Sequence, residues 1–266
     1  RPGGQVMIFA GDVLLRFDPD DVDLSADGLT GIAGWESPGE ASDHGAYADI
    51  AGDGAVRRFV QKPSMGASEH FDSRDSAGRV PVDFGAMSFS PQFADRLLEA
   101  AKVVSRPDES GHGRRALDFY TEIAGCMGSD MEFSEYEAMV RNHGASDMAG
   151  DTLKEVWDLL HGQPFRCEVL PECDFLHLGT SEDYLHSAQR LAYENRSSAS
   201  EGLRQPIVML TDAGRGTITG TDAVVEGTSI DDTLEVGGHN MVIGARIEDT
   251  VELREGVCLD VLPGTD

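Results

Sequence analysis

Apolar residues follow several different rhythms along this chain, and each predicts a different kind of element. Val6-Met7-Ile8-Phe9-Ala10 is an unbroken apolar run. A run without polar alternation reads as a strand buried on both faces, as in the middle of an α/β sheet, and Gly11-Asp12 is the turn that ends it. Gly45 to Ile50 and Val56 to Gln61 read as two strands joined at Gly52-Asp53-Gly54, the second stopped by Pro63. Ser64 to Gly78 is polar and rich in Gly and Ser, and is expected to be a mobile loop or lid. Val80 to Phe89 is extended again.

The spacing then becomes helical. Ser90-Pro91 supplies an N-cap and a first-turn proline, and Phe93, Leu97, Leu98 and Ala101 supply the apolar face. Leu117 to Ile123 and Thr152 to His161 are expected helices, the latter carrying Leu153, Val156, Trp157 and Leu160 and closing at Gly162. Phe165 to Leu170 and Phe175 to Leu178 are expected strands. Thr180 with Asp183 resembles a capping box opening a helix from Ser181 to Glu194. Strands and helices mixed in this way predict an α/β sandwich around a mixed sheet.

Asn195 to Gly202 is charged and Ser-rich, and beyond it the rhythm changes. Ile218, Val224, Ile230, Val236 and Val242 fall six apart. After a one-residue slip Ile247, Val251, Leu253 and Leu259 continue the marks, with Gly220, Gly227, Gly237, Gly244 and Gly256 between them. A six-residue apolar period is the signature of hexapeptide β-helix coils, each hexad burying one aliphatic side chain. The expected organisation is an α/β domain over residues 1–194, a linker over 195–204 and a β-helix over 205–266.

Composition narrows the partners. A formal charge of −27 and few cations argue against nucleic acid and anionic membrane surfaces. Three lysines, Lys62, Lys102 and Lys154, stand beside eighteen arginines, so each lysine's position carries information. Four cysteines without Cys-x-x-Cys and eight scattered histidines offer no paired metal-ligand spacing. No apolar run reaches transmembrane length and no signal peptide is visible. Reduced thiols and a cytoplasmic location are the expectation. The abrupt start on Arg1-Pro2-Gly3-Gly4, two residues before a strand, suggests that a segment precedes it.

Candidate chemistry lies in four short pieces taken in order. Asp12 follows the first strand, where a carboxylate either caps a turn or stands beside a metal–phosphate complex. His44-Gly45-Ala46-Tyr47 leads by a hairpin to Phe59-Val60-Gln61-Lys62-Pro63. Asp83-Phe84-Gly85-Ala86-Met87-Ser88-Phe89 comes next, and then Phe175-Leu176-His177-Leu178-Gly179-Thr180 with Tyr184 and Leu185. This order, with the trailing hexapeptide domain, resembles the sugar-1-phosphate nucleotidylyltransferases. Ala10-Gly11-Asp12-Val13-Leu14-Leu15-Arg16-Phe17-Asp18-Pro19, Gln61-Lys62-Pro63-Ser64 and the stretch from Phe175 to Leu185 resemble the fucokinase / fucose-1-phosphate guanylyltransferase family in particular.

The resemblance implies a mixed-sheet, Rossmann-like nucleotidyltransferase domain followed by a left-handed parallel β-helix. It implies formation of GDP-L-fucose from GTP and L-fucose 1-phosphate, with Mg²⁺ as cofactor and release of pyrophosphate. Asp12 matches the family carboxylate that holds Mg²⁺, and Lys62 the lysine that contacts the sugar phosphate. These two are expected to converge on one cleft. Asp83 and Gly85 match the sugar-side strand entrance, where the alternative is a Gly that marks a bulge. Thr180 falls in the Gly-Thr pair of the last motif and joins the substrate-binding candidates. His177 stands where many relatives carry a second metal-holding Asp. It is either a donor to a phosphate or sugar hydroxyl, or a satisfied core histidine. His44 reads as a loop residue.

The family's Gly-rich nucleotide loop lies well upstream of the first strand, and Gly3-Gly4 is too short to replace it. This chain by itself is therefore expected to bind a sugar phosphate weakly and to transfer no nucleotide, and no sugar-kinase phosphate loop is present in it. The alternative is a non-catalytic fragment or degenerate homologue that serves assembly through its β-helix, possible homo-oligomers included. A hexapeptide acyltransferase would need more coils and a catalytic histidine, for which His239 is the sole candidate.

Overall fold

The computed structural model describes residues 4–106, 116–143, 148, 150–194, 206–214 and 216–261. The expected linker at 195–204 lies outside them. Contacts divide the chain into two compact units. One runs to Gly11 and resumes over Leu15–Phe175; the other is Asp12–Leu14 with everything from Leu176 onward.

The strands up to this division are β1 (Val6–Phe9), β2 (Val13–Arg16), β3 (Leu29–Glu36), β4 (Gly45–Ile50), β5 (Val56–Gln61), β6 (Val80–Phe89), β7 (Phe165–Val169) and β8 (Asp174–His177). A six-stranded mixed sheet has the order β5-β4-β6-β3-β7, with β1 added to β6, while β2 and β8 form a two-stranded sheet. Only β3 and β7 are parallel neighbours; β1, β3 and β4 each run antiparallel to β6. β6 is buried at nine of its ten positions, and it is the strand that holds the sheet together. The apolar run of β1 does not take that central place: Val6 is 42 % and Phe9 59 % exposed. An unbroken apolar run carries no periodicity, so it cannot by itself say how many neighbours a strand has.

Ser64 caps a short helix α1 (Met65–Ser68), and α2 (Pro91–Val104), α3 (Gly125–Met127), α4 (Phe133–His143) and α5 (Gly150–Leu160) follow. The stretch expected to be helical from Leu117 forms a π-turn over Phe119–Ala124 that runs into α3. Ser90 caps α2 as expected, its Oγ accepting from Phe93 N at 3.3 Å and also from Gly28 N at 3.1 Å. The buried face of α2 is Phe93, Ala100, Val103 and Val104, whereas Leu98 is exposed. α2 packs on α5, and both share one core with Leu29, Met87 and Phe165 of the sheet. The stretch from Ser64 to Gly78 is not an unanchored loop. Phe71 is buried with Ala41, Ala46, Val80 and Val82, and backbone bonds such as Ser73 N to Ala48 O tie the stretch to the sheet. One aromatic residue outweighs a polar composition here.

The second unit contains α6 (Ser181–Glu194) and a β-solenoid of about three turns. Its strands are β9 (Ile207–Met209), β10 (Thr217–Gly220), β11 (Ala223–Glu226), β12 (Ser229–Ile230), β13 (Thr233–Val236), β14 (Asn240–Ile243), β15 (Arg246–Ile247), β16 (Val251–Leu253) and β17 (Cys258–Asp260). They stack in parallel as three faces, β10-β13-β16, β9-β11-β14-β17 and β12-β15. Val224 pairs with Met241 and Leu234 with Val251, so these coils are one residue short of three full hexads. Ile218, Ile230, Val236, Val242 and Ile247 belong to the solenoid core as the six-residue period predicts. Val224 departs from it. Ala223 and Val225 face inward, and the intervening Val224 is buried on the opposite side, where α6 packs on β9, β11 and β14. Among the described residues no helix is long and apolar enough to cross a membrane.

Candidate functional site

In the first unit the irregular part of β6 is where the sequence places a site. β4 meets β6 at Ala46↔Val82, β1 meets it from Phe9↔Ala86 onward, and Asp83–Gly85 lies between the two registers. On the other edge the pairing jumps from Gly31↔Met87 to Ala33↔Asp83, a bulge in β6. Bulges re-aim side chains and are common beside active sites. Gly85 has φ 71°, its carbonyl accepts from Ala10 N at 2.7 Å, and a Cβ there would fall 2.8 Å from the Ala10 Cβ. Both the backbone angle and the close approach require glycine.

Asp83 holds this bulge. It is buried, with Oδ1 accepting from Gly85 N at 2.8 Å and Oδ2 accepting from the Tyr47 hydroxyl at 2.5 Å. Burial pushes its carboxyl up to about 7, against the pull of those two donors. Burial likewise pushes the Tyr47 hydroxyl well above its ordinary range, with the Asp83 and Cys167 charges adding to the rise. Asp83 thus has both oxygens engaged within the protein and braces Gly85 from behind. Since its native pKa is raised above 3.8, Asp83 contributes its full stability below about pH 4 and loses that contribution as the pH rises through about 7. Urea unfolding between pH 5 and 8 is expected to show a falling stability that is flatter in Asp83→Asn. The difference should be on the order of a few kcal/mol, and equal slopes would contradict it.

Lys62 ends the hairpin partner β5. Its backbone N–H donates to His44 O at 2.9 Å, its side chain is exposed and the following Pro63 is buried. It is one of four non-glycine residues at positive φ among the described residues, at 48°. Such a conformation is strained, and strain of this kind gathers at functional positions. Gln61, just before it, has a buried Oε1 without a hydrogen-bond partner among the described residues, beside Gly45, which has no room for a side chain. The motifs contain Tyr47 and Gln61 without giving them a role, and Gly31 lies outside them. Only the positions of neighbouring strands reveal them.

The second unit gathers Asp12, His177 and Thr180. Leu178 N donates to Asp12 O at 2.7 Å, which fixes the turn after Gly11. His177 is not a core histidine. Its ring lies between two carboxylates, Nδ1 3.1 Å from Asp183 Oδ2 and Nε2 3.6 Å from Asp12 Oδ2, with its side chain 29 % exposed. Gly179 permits this, since a Cβ there would fall 2.6 Å from His177 Nε2 and 3.0 Å from Asp12 Oδ2. Thr180 Oγ1 accepts from Asp183 N at 3.1 Å and donates to Asp183 Oδ2 at 2.7 Å, which completes the expected cap of α6. No three His, Cys, Asp or Glu among the described residues are grouped so as to hold a metal by themselves. Mg²⁺ is commonly held by one or two carboxylates together with substrate phosphates, and the half-exposed Asp12 carboxylate fits that role. Lys62, Asp83 and Gly85 belong to the first unit, and Asp12, His177 and Thr180 to the second.

The family model of the fucose pyrophosphorylase domain matches residues 1–263. No curated protein matches the chain.

Proposed function

The chain belongs to the fucose pyrophosphorylase domain family, and from that premise we propose that it serves the formation of GDP-L-fucose from GTP and L-fucose 1-phosphate, its own residues supplying the sugar-phosphate and metal side. The family supports a sugar-1-phosphate pyrophosphorylase-type activity with a sugar phosphate and a nucleoside triphosphate as substrates. In the proposed reaction an oxygen of the sugar phosphate attacks the α-phosphorus of GTP. The bond from that phosphorus to the bridging oxygen breaks, and pyrophosphate leaves. The protein's share in such a transfer is positioning and charge neutralisation. A Rossmann-like nucleotidyltransferase core, a left-handed coil sense and a cytoplasmic location accompany this reading.

The observation that carries it is Lys62, an exposed lysine just before Pro63, held by its backbone to His44 O at positive φ. Its ammonium is assigned to the sugar phosphate. Gly85, whose side-chain space is taken by Ala10, marks the bulge that shapes the strand rather than an opening for the sugar. Asp12 would hold Mg²⁺, which would offset negative charge on the phosphates. His177, steadied by Asp183, donates from Nε2 to a phosphate oxygen or sugar hydroxyl, and Thr180 keeps that segment in place.

The test is calorimetric titration of L-fucose 1-phosphate with Mg²⁺, and pyrophosphate release from GTP measured on this chain and on a version extended upstream. Saturating ligand at about 100 times its Kd should also stabilise the fold by about 2.7 kcal/mol. Loss of Mg²⁺-dependent binding in Asp12→Asn is expected. Absence of any sugar-phosphate binding in both proteins would favour the non-catalytic, assembly reading.

A further inference from the structure

A cavity of about 720 Å³ in the first unit is not lined by Lys62, Asp83 or Gly85, although Phe84, between the last two, belongs to its wall. It opens where β3 ends at Glu36 and its parallel neighbour β7 runs on into Leu170 and Pro171. The carboxyl ends of parallel strands are where α/β sheets gather ligands.

Its walls are aromatic and polar in turn. Phe17 and Trp35, both partly exposed, line it, and the almost fully buried Phe84 backs them. Phe84 is fixed there, stacked on Phe175 with centroids 4.6 Å apart and planes 9° from parallel. It also lies over Gly34, where a Cβ would fall 2.1 Å from its Cζ. The two arginines in the wall already face carboxylates. Arg16 is 2.8 Å from Asp174, and Arg79 bonds Asp75 through both Nε and Nη2 at 2.7 Å. Asp18, Asp21, Glu36 and Glu172 line the cavity as well, so its carboxylates outnumber its guanidinium groups.

These features select one class of ligand. A phosphate or nucleotide would meet carboxylates and guanidinium groups already neutralised, so it gains little and is repelled. A metal ion would leave a space of this size unfilled. An amine would be drawn to the carboxylates, but an ammonium has no acceptor for the N–H groups of the arginines in the same wall. A neutral polyhydroxylated molecule fits all of it. Its C–H faces lie on the rings of Phe17 and Trp35, its hydroxyls accept from Arg79 Nη1, which Asp75 does not take, and they donate to carboxylates. Burial, and the neighbouring Glu40, push the Glu36 carboxyl up to about 7, so it can serve as donor or acceptor near neutral pH. We propose that this cavity is a binding site for a neutral carbohydrate, separate from the site assigned to the sugar phosphate.

The experiment is saturation-transfer NMR and calorimetry of the protein with L-fucose, D-mannose and lactose, with spermidine and inorganic phosphate as charged probes. A neutral sugar is expected to bind with one-to-one stoichiometry. Trp35→Ala and Glu36→Gln should each weaken it at least tenfold, and Lys62→Gln should leave it unchanged. If Trp35→Ala does not fold, Glu172→Gln takes its place, read with the fluorescence change of Trp35 in the parent protein. The proposal is overturned if no neutral sugar binds or if only spermidine or phosphate binds. It is also overturned if these substitutions leave sugar affinity intact. Sensitivity to Lys62→Gln would place the sugar at the other site and overturn it as well, without touching the function proposed for Lys62.

Discussion

Lys62→Gly is expected to unfold at a higher denaturant concentration than the parent protein and to bind L-fucose 1-phosphate at least tenfold more weakly. The two effects have separate causes at one residue. A non-glycine residue in the left-handed region costs roughly 1–2 kcal/mol, and at φ 48° Lys62 carries that cost. Glycine removes it but has more freedom to lose on folding, which leaves a net gain of about 0.5–1 kcal/mol. The hydrogen bond from residue 62 N to His44 O survives, because it uses only backbone. Binding moves the other way. A hydrogen bond to a charged group is worth about 1.5–3 kcal/mol, which corresponds to roughly tenfold to a hundredfold in affinity. Lys62→Gln separates the two effects: it keeps the strain, so stability stays near the parent value, and it loses the charge, so affinity falls as in the glycine variant. Urea titration and calorimetry of the three proteins check this. Unchanged affinity in both variants would remove Lys62 from the phosphate site, and a less stable Lys62→Gly would show that the backbone there is not strained.

What could be read in advance depended on how local each feature is. The Ser90-Pro91 start of α2 and the Thr180–Asp183 cap of α6 involve residues within a turn of each other, and both form as read. The solenoid was legible because its repeat is local, although the phase slipped at Val224, where α6 covers the outer face. The place of β1 was not legible, since pairing with one neighbour or two leaves the same apolar run. Nor was the anchoring of Ser64 to Gly78, which turns on Phe71 packing between Ala41, just before β4, and sheet residues such as Val80. At the site, motif order pointed to Asp83 and Gly85, but Tyr47 is 36 residues from Asp83 in sequence, and no spacing rule connects them. The backbone angle of Lys62 is likewise invisible in a sequence where lysine gives no hint of a left-handed turn.

The strongest expected loss of stability comes from adding one methyl group. Gly31 lies on β3 opposite Met87, and a Cβ on it would fall 1.8 Å from the Tyr47 hydroxyl oxygen and 2.9 Å from its Cζ. Tyr47 cannot yield. It is fully buried, edge-on to Phe59 at 5.1 Å and packed on Phe165 at 5.9 Å, and its hydroxyl is bound to Asp83. Gly31→Ala must therefore overpack this core and pull Tyr47 off a buried carboxyl. Overpacking costs about 1–3 kcal/mol and an orphaned buried polar group about 1–3 kcal/mol more. Tyr47→Phe alone leaves Asp83 Oδ2 without its donor and should cost about 1–3 kcal/mol. In Gly31→Ala/Tyr47→Phe the worst clash is gone and the Asp83 bond is lost only once. The double variant is expected to be more stable than the sum of the singles predicts, by at least about 1 kcal/mol. Denaturant midpoints for all four proteins give the coupling. If Gly31→Ala does not fold alone, recovery of folded protein on adding Tyr47→Phe reports the same thing. Strict additivity would mean that residue 31 and the Tyr47 hydroxyl do not compete for one space, and the brace behind Gly85 would lose its structural basis.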